Sequence, residues 1–426
     1  MCPASESTGS QPDDSAPGDT EPSGADEQPA PEPLLSPADG VPPVLVEPAG
    51  FAEAAERLRS GTGPIALDTE RASGFRYSQR AYLIQIRRAG AGTVLLDPIA
   101  HPDGLSDVVE ALHGPEWVLH AADQDLPCLR ELGFTCTTLF DTELAGRLLG
   151  MTRVNLAAMT AQFLGRELLK GHGAADWSKR PLPHDWLNYA ALDVELLVEL
   201  RDAMDAELRE HGKDEWAAQE FAYVLARPPA PPRTDRWRRL SHIHSLRTPA
   251  ELAVARELWH AREDLAQARD VAPGRVLPDA AIIDAARANP TTVDELTKLK
   301  IFGGPRQRRH ARRWLAALHR AQALPTDELP PRTAPTTGLP PINRWEQRNP
   351  EAAARAAVVR PALAQVAESV SVPAENLLSP ELVRQLCWQG VADTPDAVDD
   401  ALQAGAARRW QRDLTRDAIA QALREI

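Results

Sequence analysis

Apolar residues along positions 44–226 follow two alternating rhythms. Short runs rich in β-branched and aliphatic side chains read as strands: PVLVE at 43–47, PIALDTE at 64–70, AYLIQIRR at 81–88, GTVLLDP at 92–98 and EWVLHA at 116–121. Between and after them, apolar positions three and four apart predict helices around 51–60, 104–112, 125–132, 141–150, 154–164 and 185–210. Strands interleaved with helices predict an α/β domain, a mixed sheet flanked by helices. From 64 to 98 only turn signals separate the strands, so three consecutive antiparallel strands are expected there.

The rhythm changes after the Pro-rich stretch ARPPAPPRTDRW at 226–237, which reads as a stiff linker. Residues 247–320 carry helical periodicity alone, and so do residues 350–426 beyond a second Pro-rich break at 324–344. The expected divisions are an acidic disordered tail over 1–43, an α/β domain over 44–226, a linker over 227–246, a helical domain over 247–324, a linker over 325–344 and a second helical domain over 345–426. Trp388 and Trp410 are the expected core aromatics of that last block.

Composition refines this picture. A chain of 426 residues fits about three domains of about 150 residues each. The net charge of −14 is unevenly spread: residues 1–43 hold nine acids and no Lys or Arg, which leaves −5 for the rest. An anionic partner is therefore not excluded. The tail has too little apolar area to offset the entropy of ordering, and it lacks the basic start and apolar core of a secretory signal. No run of about 18 apolar residues predicts a membrane span. The four cysteines form no C-x-x-C pair, which points to a reducing, cytoplasmic setting.

Three segments carry candidate chemistry. Asp68 and Glu70 end an apolar strand two positions apart, so they share one face with Ala66 while Ile65, Leu67 and Thr69 share the other. Carboxylates about 6.5–7 Å apart along a strand raise each other's pKa unless a cation lies between them. Hard divalent ions such as Mg²⁺ favour such oxygen donors. A further acid lies in HAADQDLPCLREL, where Asp123 and Asp125 are both candidates and a plain helix cap is the competing explanation. Tyr189 and Asp193, at i and i+4, share one face of a helix.

Taken together, DTE, HAADQDL and YAALD resemble the three motifs of the DEDD exonuclease superfamily in its tyrosine-bearing branch, and within it the ribonuclease D family. YLIQI, LFDTELA and DWSKRPLPHDWLNYAALDVELL are similar to that family as well. The resemblance spans about 44–226, implies a ribonuclease-H-like fold, and favours Asp125, the acid followed by Leu, over Asp123. It implies that Asp68, Glu70, Asp125 and Asp193 hold two divalent cations, Mg²⁺ or alternatively Mn²⁺, about 3.5–4 Å apart. Tyr189 would then position a water for attack at the 3′ end of RNA, releasing nucleoside 5′-monophosphates. tRNA precursors and other structured RNAs are the implied partners. Gln85, His120, Lys179 and Arg180 are secondary candidates for substrate contact, each with a structural alternative; Asp141 reads as a helix cap.

Residues 251–321 resemble an HRDC domain, through AREDLAQARDVAPGRVLPD and ANPTTVDEL. Residues 247–320 hold 14 Lys/Arg against 9 Asp/Glu, and Arg306, Arg308, Arg309, Arg312 and Arg313 cluster at one helix start, which is read as phosphate binding with a solvated basic face as the alternative. The last block, 345–426, is expected to be a second, diverged module of this kind. Two other functions fit the same residues: a DNA exonuclease, since 2′-OH readout has no sequence mark, and an inactive nucleic-acid-binding protein, which the full acid set opposes.

Overall fold

The structure is a computed structural model and describes residues 30–168, 171–228, 231, 233–333 and 338–426. The α/β part contains β1 (Glu32–Leu34), β2 (Val44–Leu45), β3 (Thr62–Glu70), β4 (Leu83–Ala89), β5 (Gly92–Leu96), β6 (Trp117–Leu119), β7 (Leu139–Asp141) and β8 (Arg166–Leu168). Six of them form one mixed sheet in the order β2-β5-β4-β3-β6-β7. Strands β3, β4 and β5 form the expected antiparallel meander. Strand β6 pairs parallel with β3, β7 with β6, and β2 with β5.

The alternation of β4 and β5 divides their side chains between two cores. Ile65 and Leu67 join Ile84, Ile86, Val94 and Leu96 in the large core that includes Phe51 and Leu58 of helix Pro48–Ser60. The opposite face carries Leu83 and Leu95, packed with Trp177 and with Ala190 of helix His184–Glu195. Asp68 and Glu70 belong to this second face, beneath the helix that bears Tyr189 and Asp193.

Two boundaries differ from the sequence expectation. The end of the acidic tail is ordered: β1 pairs parallel with β8, Glu195 Oε1 accepts from the Ala38 amide at 3.0 Å, and Asn188 donates to the Leu35 carbonyl at 2.9 Å. Backbone pairing of this kind leaves no mark in composition, which reflects side-chain burial; residues 1–29 lie outside the described residues. The stretch 227–246 is more than a spacer, because Trp237, Leu240 and Leu246 are buried in the core of the following helical domain.

That domain packs helix Pro249–Ala268 against Asp279–Ala288 and Ala311–Gln322 around Trp314 and Leu258. Its long helix starts at a capping box in which Thr248 and Glu251 satisfy each other's backbone amides. The last block is all helical and shares one continuous core with the α/β domain, with Trp410 buried as expected, Trp388 half-buried, and Trp345 fully buried. Arg408 at the start of helix Arg409–Leu423 makes a two-pronged ion pair with Glu220 of helix Asp214–Ala226 at 2.6 and 2.8 Å, and the Trp410 indole donates to the same carboxylate at 2.8 Å. Glu220→Ala would strand a largely buried guanidinium, so a loss of about 3 kcal/mol is expected in urea unfolding. Unfolding unchanged from wild type would show that this pair does not hold the two blocks together.

Candidate active site

Strand β3 delivers Asp68 and Glu70 to the sheet edge of a cavity of about 470 Å³, which Asp125, Tyr189 and Asp193 also line. Carboxylate oxygens of Asp68, Glu70 and Asp193 all lie within 4.8 Å of one another. Asp125 reaches the cavity from the other face of the strand. Thr69, pointing that way, donates its hydroxyl to Asp125 Oδ1 at 2.6 Å. Asp125 occupies the N-cap position of helix Leu126–Glu131, yet its side chain makes no capping bond. Asp123 is absent from the cavity lining and faces Arg227 at 4.0 Å.

Burial and mutual repulsion dominate the electrostatics. Burial, followed by the charges of Asp125 and Asp193, holds the Asp68 carboxyl well above its usual range. Burial and the neighbouring acids push Glu70 up to about 10. Asp193 rises to about 7 through burial, against a hydrogen bond from Tyr189. Asp125 rises to about 6, again through burial, opposed by Thr69 and Arg71. The Tyr189 phenol is raised by burial and by Asp193, so it stays protonated. Four carboxyls crowded in this way resist ionising together unless a cation lies among them, and all their donors are hard oxygens.

The secondary candidates separate clearly. Gln85 is fully buried and lies directly across from Asp68 in the β3–β4 register, its Nε2 donating to Asp68 Oδ2 at 3.4 Å. It positions that carboxylate and is not available to substrate. Arg180 is spent internally, on Asp97 and on the carbonyls of Tyr82 and Trp177 at 2.7 Å each, so it fixes its own loop. Lys179 is exposed and has no side-chain partner among the described residues. His120 lines the cavity; burial lowers it to about 4, and its Nδ1 meets the Thr142 hydroxyl at 2.9 Å. Asp141 does cap a helix, accepting from the Glu143 and Leu144 amides, and it also accepts from those of Ala121 and Ala122.

Arg71 lines the cavity directly after Glu70, and sequence reasoning passed over it. Its Nη1 donates to the Gln124 carbonyl at 2.7 Å, tying the end of β3 to the turn that carries Asp125. The only signal in the sequence was adjacency to Glu70.

Gly171 and Gly173 border Tyr189. A Cβ on Gly171 would come within 2.2 Å of the Tyr189 ring, so only glycine leaves that ring in place. Gly171→Ala is expected to lower kcat roughly tenfold by displacing Tyr189, with the thermal unfolding midpoint little changed. Wild-type kcat in this variant would show that the ring position does not matter.

In the helical domain, Arg306, Arg308, Arg309, Arg312 and Arg313 are all exposed, and none pairs with an acid among the described residues. Arg306 and Arg309 border a cavity of about 560 Å³ with Arg269, Arg275 and His310. This edge docks on the loop that follows Glu70: Asp270 accepts from the Ser78 amide at 2.8 Å and from Arg80 at 3.0 Å, and Arg275 donates to the Gly74 carbonyl and lies over the Phe75 ring.

Comparison with known proteins agrees with this architecture. A family model described as 3′-5′ exonuclease matches residues 45–209, an HRDC domain model matches 251–318, and a model described as 3′ to 5′ exonuclease C-terminal domain matches 338–423. The last match describes the final block differently from the second HRDC-like module that the sequence suggested. Ribonuclease D of Nitrobacter hamburgensis is 30% identical over 308 residues, which cover 71% of this chain and 74% of that protein. A crystal structure of a protein from Bifidobacterium adolescentis superposes with a TM-score of 0.85 at 38% identity, covering 92% of this chain and 100% of that one. Escherichia coli RNase D, described as an exoribonuclease involved in structured RNA processing, shares the fold at a TM-score of 0.62 and 24% identity, over 90% of this chain and 98% of that one.

Proposed function

The chain belongs to the ribonuclease D family of metal-dependent 3′–5′ exoribonucleases, and we propose that it trims RNA with Asp68, Glu70, Asp125 and Asp193 as the ligands of two divalent cations. The observation that carries this assignment is the approach of the Asp68, Glu70 and Asp193 oxygens to within 4.8 Å of one another. When bound, the cations would activate water and neutralise charge building on the phosphate. Gln85 holds Asp68 in place from the neighbouring strand, and Thr69 holds Asp125 from the opposite face. Tyr189 keeps its proton and orients the attacking water through its phenol oxygen. Arg71 supplies a guanidinium for a non-bridging phosphate oxygen. Each cycle adds water across the last phosphodiester, leaving a shortened strand with a 3′-hydroxyl and a nucleoside 5′-monophosphate.

Mg²⁺ is the proposed ion, with Mn²⁺ as a substitute, and precursors of tRNA and other structured RNAs are the proposed substrates. Arg306, Arg308, Arg309, Arg312 and Arg313 would hold the phosphates of such strands outside the cavity. The test compares single strands of RNA and DNA of equal sequence, and a tRNA precursor with a 3′ trailer, in Mg²⁺ and in Mn²⁺. RNA is expected to be shortened faster than DNA, and the trailer removed. Faster loss of DNA would move the function to DNA repair, and binding without cleavage would mark an inactive binding protein.

The acid cluster also sets a pH dependence. Asp125 at about 6 and Asp193 at about 7 titrate well above the unfolded value of about 4. The folded, metal-free state therefore binds more protons than the unfolded one, and its stability falls as pH rises through that window. Mg²⁺ favours the ionised carboxylates and opposes this loss. The metal-free Tm is expected to drop by about 5 °C between pH 5 and pH 8, and Mg²⁺ to raise Tm more at pH 8 than at pH 5. Calorimetry with EDTA and with Mg²⁺ reads both; an equal Mg²⁺ effect at the two pH values would contradict the assignment.

A further inference from the structure

The segment joining the catalytic and helical domains builds a cavity of about 420 Å³ whose rim is basic. Arg233, Arg236 and Arg239 come from the joining segment, and Trp259 comes from the long helix Pro249–Ala268. We infer that this cavity is a second contact site for single-stranded RNA, holding phosphates at Arg233, Arg236 and Arg239 and a base against Trp259. The inference rests on the exoribonuclease reading above.

Four observations support it. The three arginines are exposed, and none makes an ion pair or side-chain hydrogen bond among the described residues. The half-buried Trp259 carries Arg236 at 5.8 Å from its ring centre, a pairing of flat aromatic and guanidinium that stacks any base without regard to sequence. Both acids in the lining pair with Arg262, while Glu263 Oε2 has no partner among the described residues. Asp279 accepts from Arg262 Nη1 at 2.6 Å and from the Ser241 amide at 2.8 Å, and Glu263 meets Arg262 Nη2 at 3.4 Å. Arg262 itself is 5% exposed, and its Nε has no partner among the described residues, which leaves a buried donor in the cavity floor.

Placement relative to the catalytic cavity fits a strand that continues upstream. Pro273 lines this cavity, while Arg275 and Val276 from the same short turn line the one that holds Arg306 and Arg309. The same turn docks on the loop after Glu70, through the Ala272 amide to the Phe75 carbonyl at 2.9 Å. One turn therefore borders two basic cavities and also touches the loop leading from the acids. An RNA with its 3′ end at the acids has a basic route past that turn, with the joining segment at its far end.

The test uses the full chain and fluorescein-labelled single-stranded RNAs of about 4 and about 16 nucleotides, protected by a 3′-terminal phosphorothioate. Wild type is expected to bind the longer strand more tightly, and R233Q/R236Q/R239Q to shrink that long-over-short advantage about tenfold. The salt dependence of long-strand binding should fall by about two in log–log slope, from about 0.7 per lost phosphate contact. Trp259→Ala should weaken the long strand by roughly tenfold without altering the slope, as loss of stacking requires. A triple variant that keeps the wild-type ratio and slope overturns the site, as does one that loses both strands equally. Wild type that binds neither strand would overturn the exoribonuclease reading itself.

Discussion

Replacing Asp193 with alanine should cut RNA shortening by about a thousandfold or more while leaving the fold intact. Asp193 supplies one corner of the three-carboxylate cluster, and no other acid on helix His184–Glu195 reaches those oxygens: Glu195 is held by Arg87 and the Ala38 amide, and Asp185 faces His172. The variant should also lose its response to Mg²⁺. Metal-free stability should move the opposite way. Removing Asp193 ends the cost of ionising a buried carboxyl and lessens its repulsion with the neighbouring acids, so the Tm in EDTA is expected to rise by a few degrees at pH 8. This opposition of signs separates a ligand from a structural acid. A large fall in Tm together with lost activity would mean that Asp193 supports the helix, and the metal assignment would fail.

The second large effect is expected at Asp141, which never touches the cavity. Its carboxylate is 2% exposed and accepts from four backbone amides, those of Ala121, Ala122, Glu143 and Leu144, at 2.8–3.3 Å. Ala121 sits in the left-handed region at φ 59°, a strained conformation for alanine that the carboxylate holds in place. The turn it anchors carries His120 on one side and leads into Asp125 on the other. Asp141→Ala leaves buried amide donors unpaired, and a loss of about 3–5 kcal/mol is expected, near 10 °C in Tm. Activity should fall with it, because Asp125 loses its support. Asp141→Asn retains an acceptor and should lose about half as much. Denaturation of both variants by urea measures this; an Ala variant within about 1 kcal/mol of wild type would show that the turn holds without Asp141.

Much of the site could be read along the chain because its elements have simple periods. Two residues along a strand place Asp68 beside Glu70, and four along a helix place Tyr189 above Asp193. What crosses between elements could not be read that way. Gln85 was a candidate for substrate contact because its register against Asp68 is a property of strand pairing. Arg180 was a candidate because nothing nearby in sequence announces Asp97 as its partner. Strands β1, β7 and β8 are three residues each, too short to show alternation. The segment 227–246 before the helical domain read as a spacer, though Trp237 anchors it in a core and three of its arginines border a cavity. The docking of the last helical block through Glu220 and Arg408 depends on residues 188 positions apart. Choosing Asp125 over Asp123 needed the family resemblance, because the Thr69 hydrogen bond and the cavity lining that distinguish the two are contacts between elements.

The most direct test of the central claim is a time course on a 5′-labelled single-stranded RNA, with wild type in Mg²⁺, wild type in EDTA, and Asp193→Ala in Mg²⁺. The account predicts a ladder that shortens from the 3′ end one nucleotide at a time, with nucleoside 5′-monophosphate as product, in the first reaction alone. Equal shortening in EDTA, or undiminished shortening by the variant, would contradict a metal-holding cluster of Asp68, Glu70, Asp125 and Asp193.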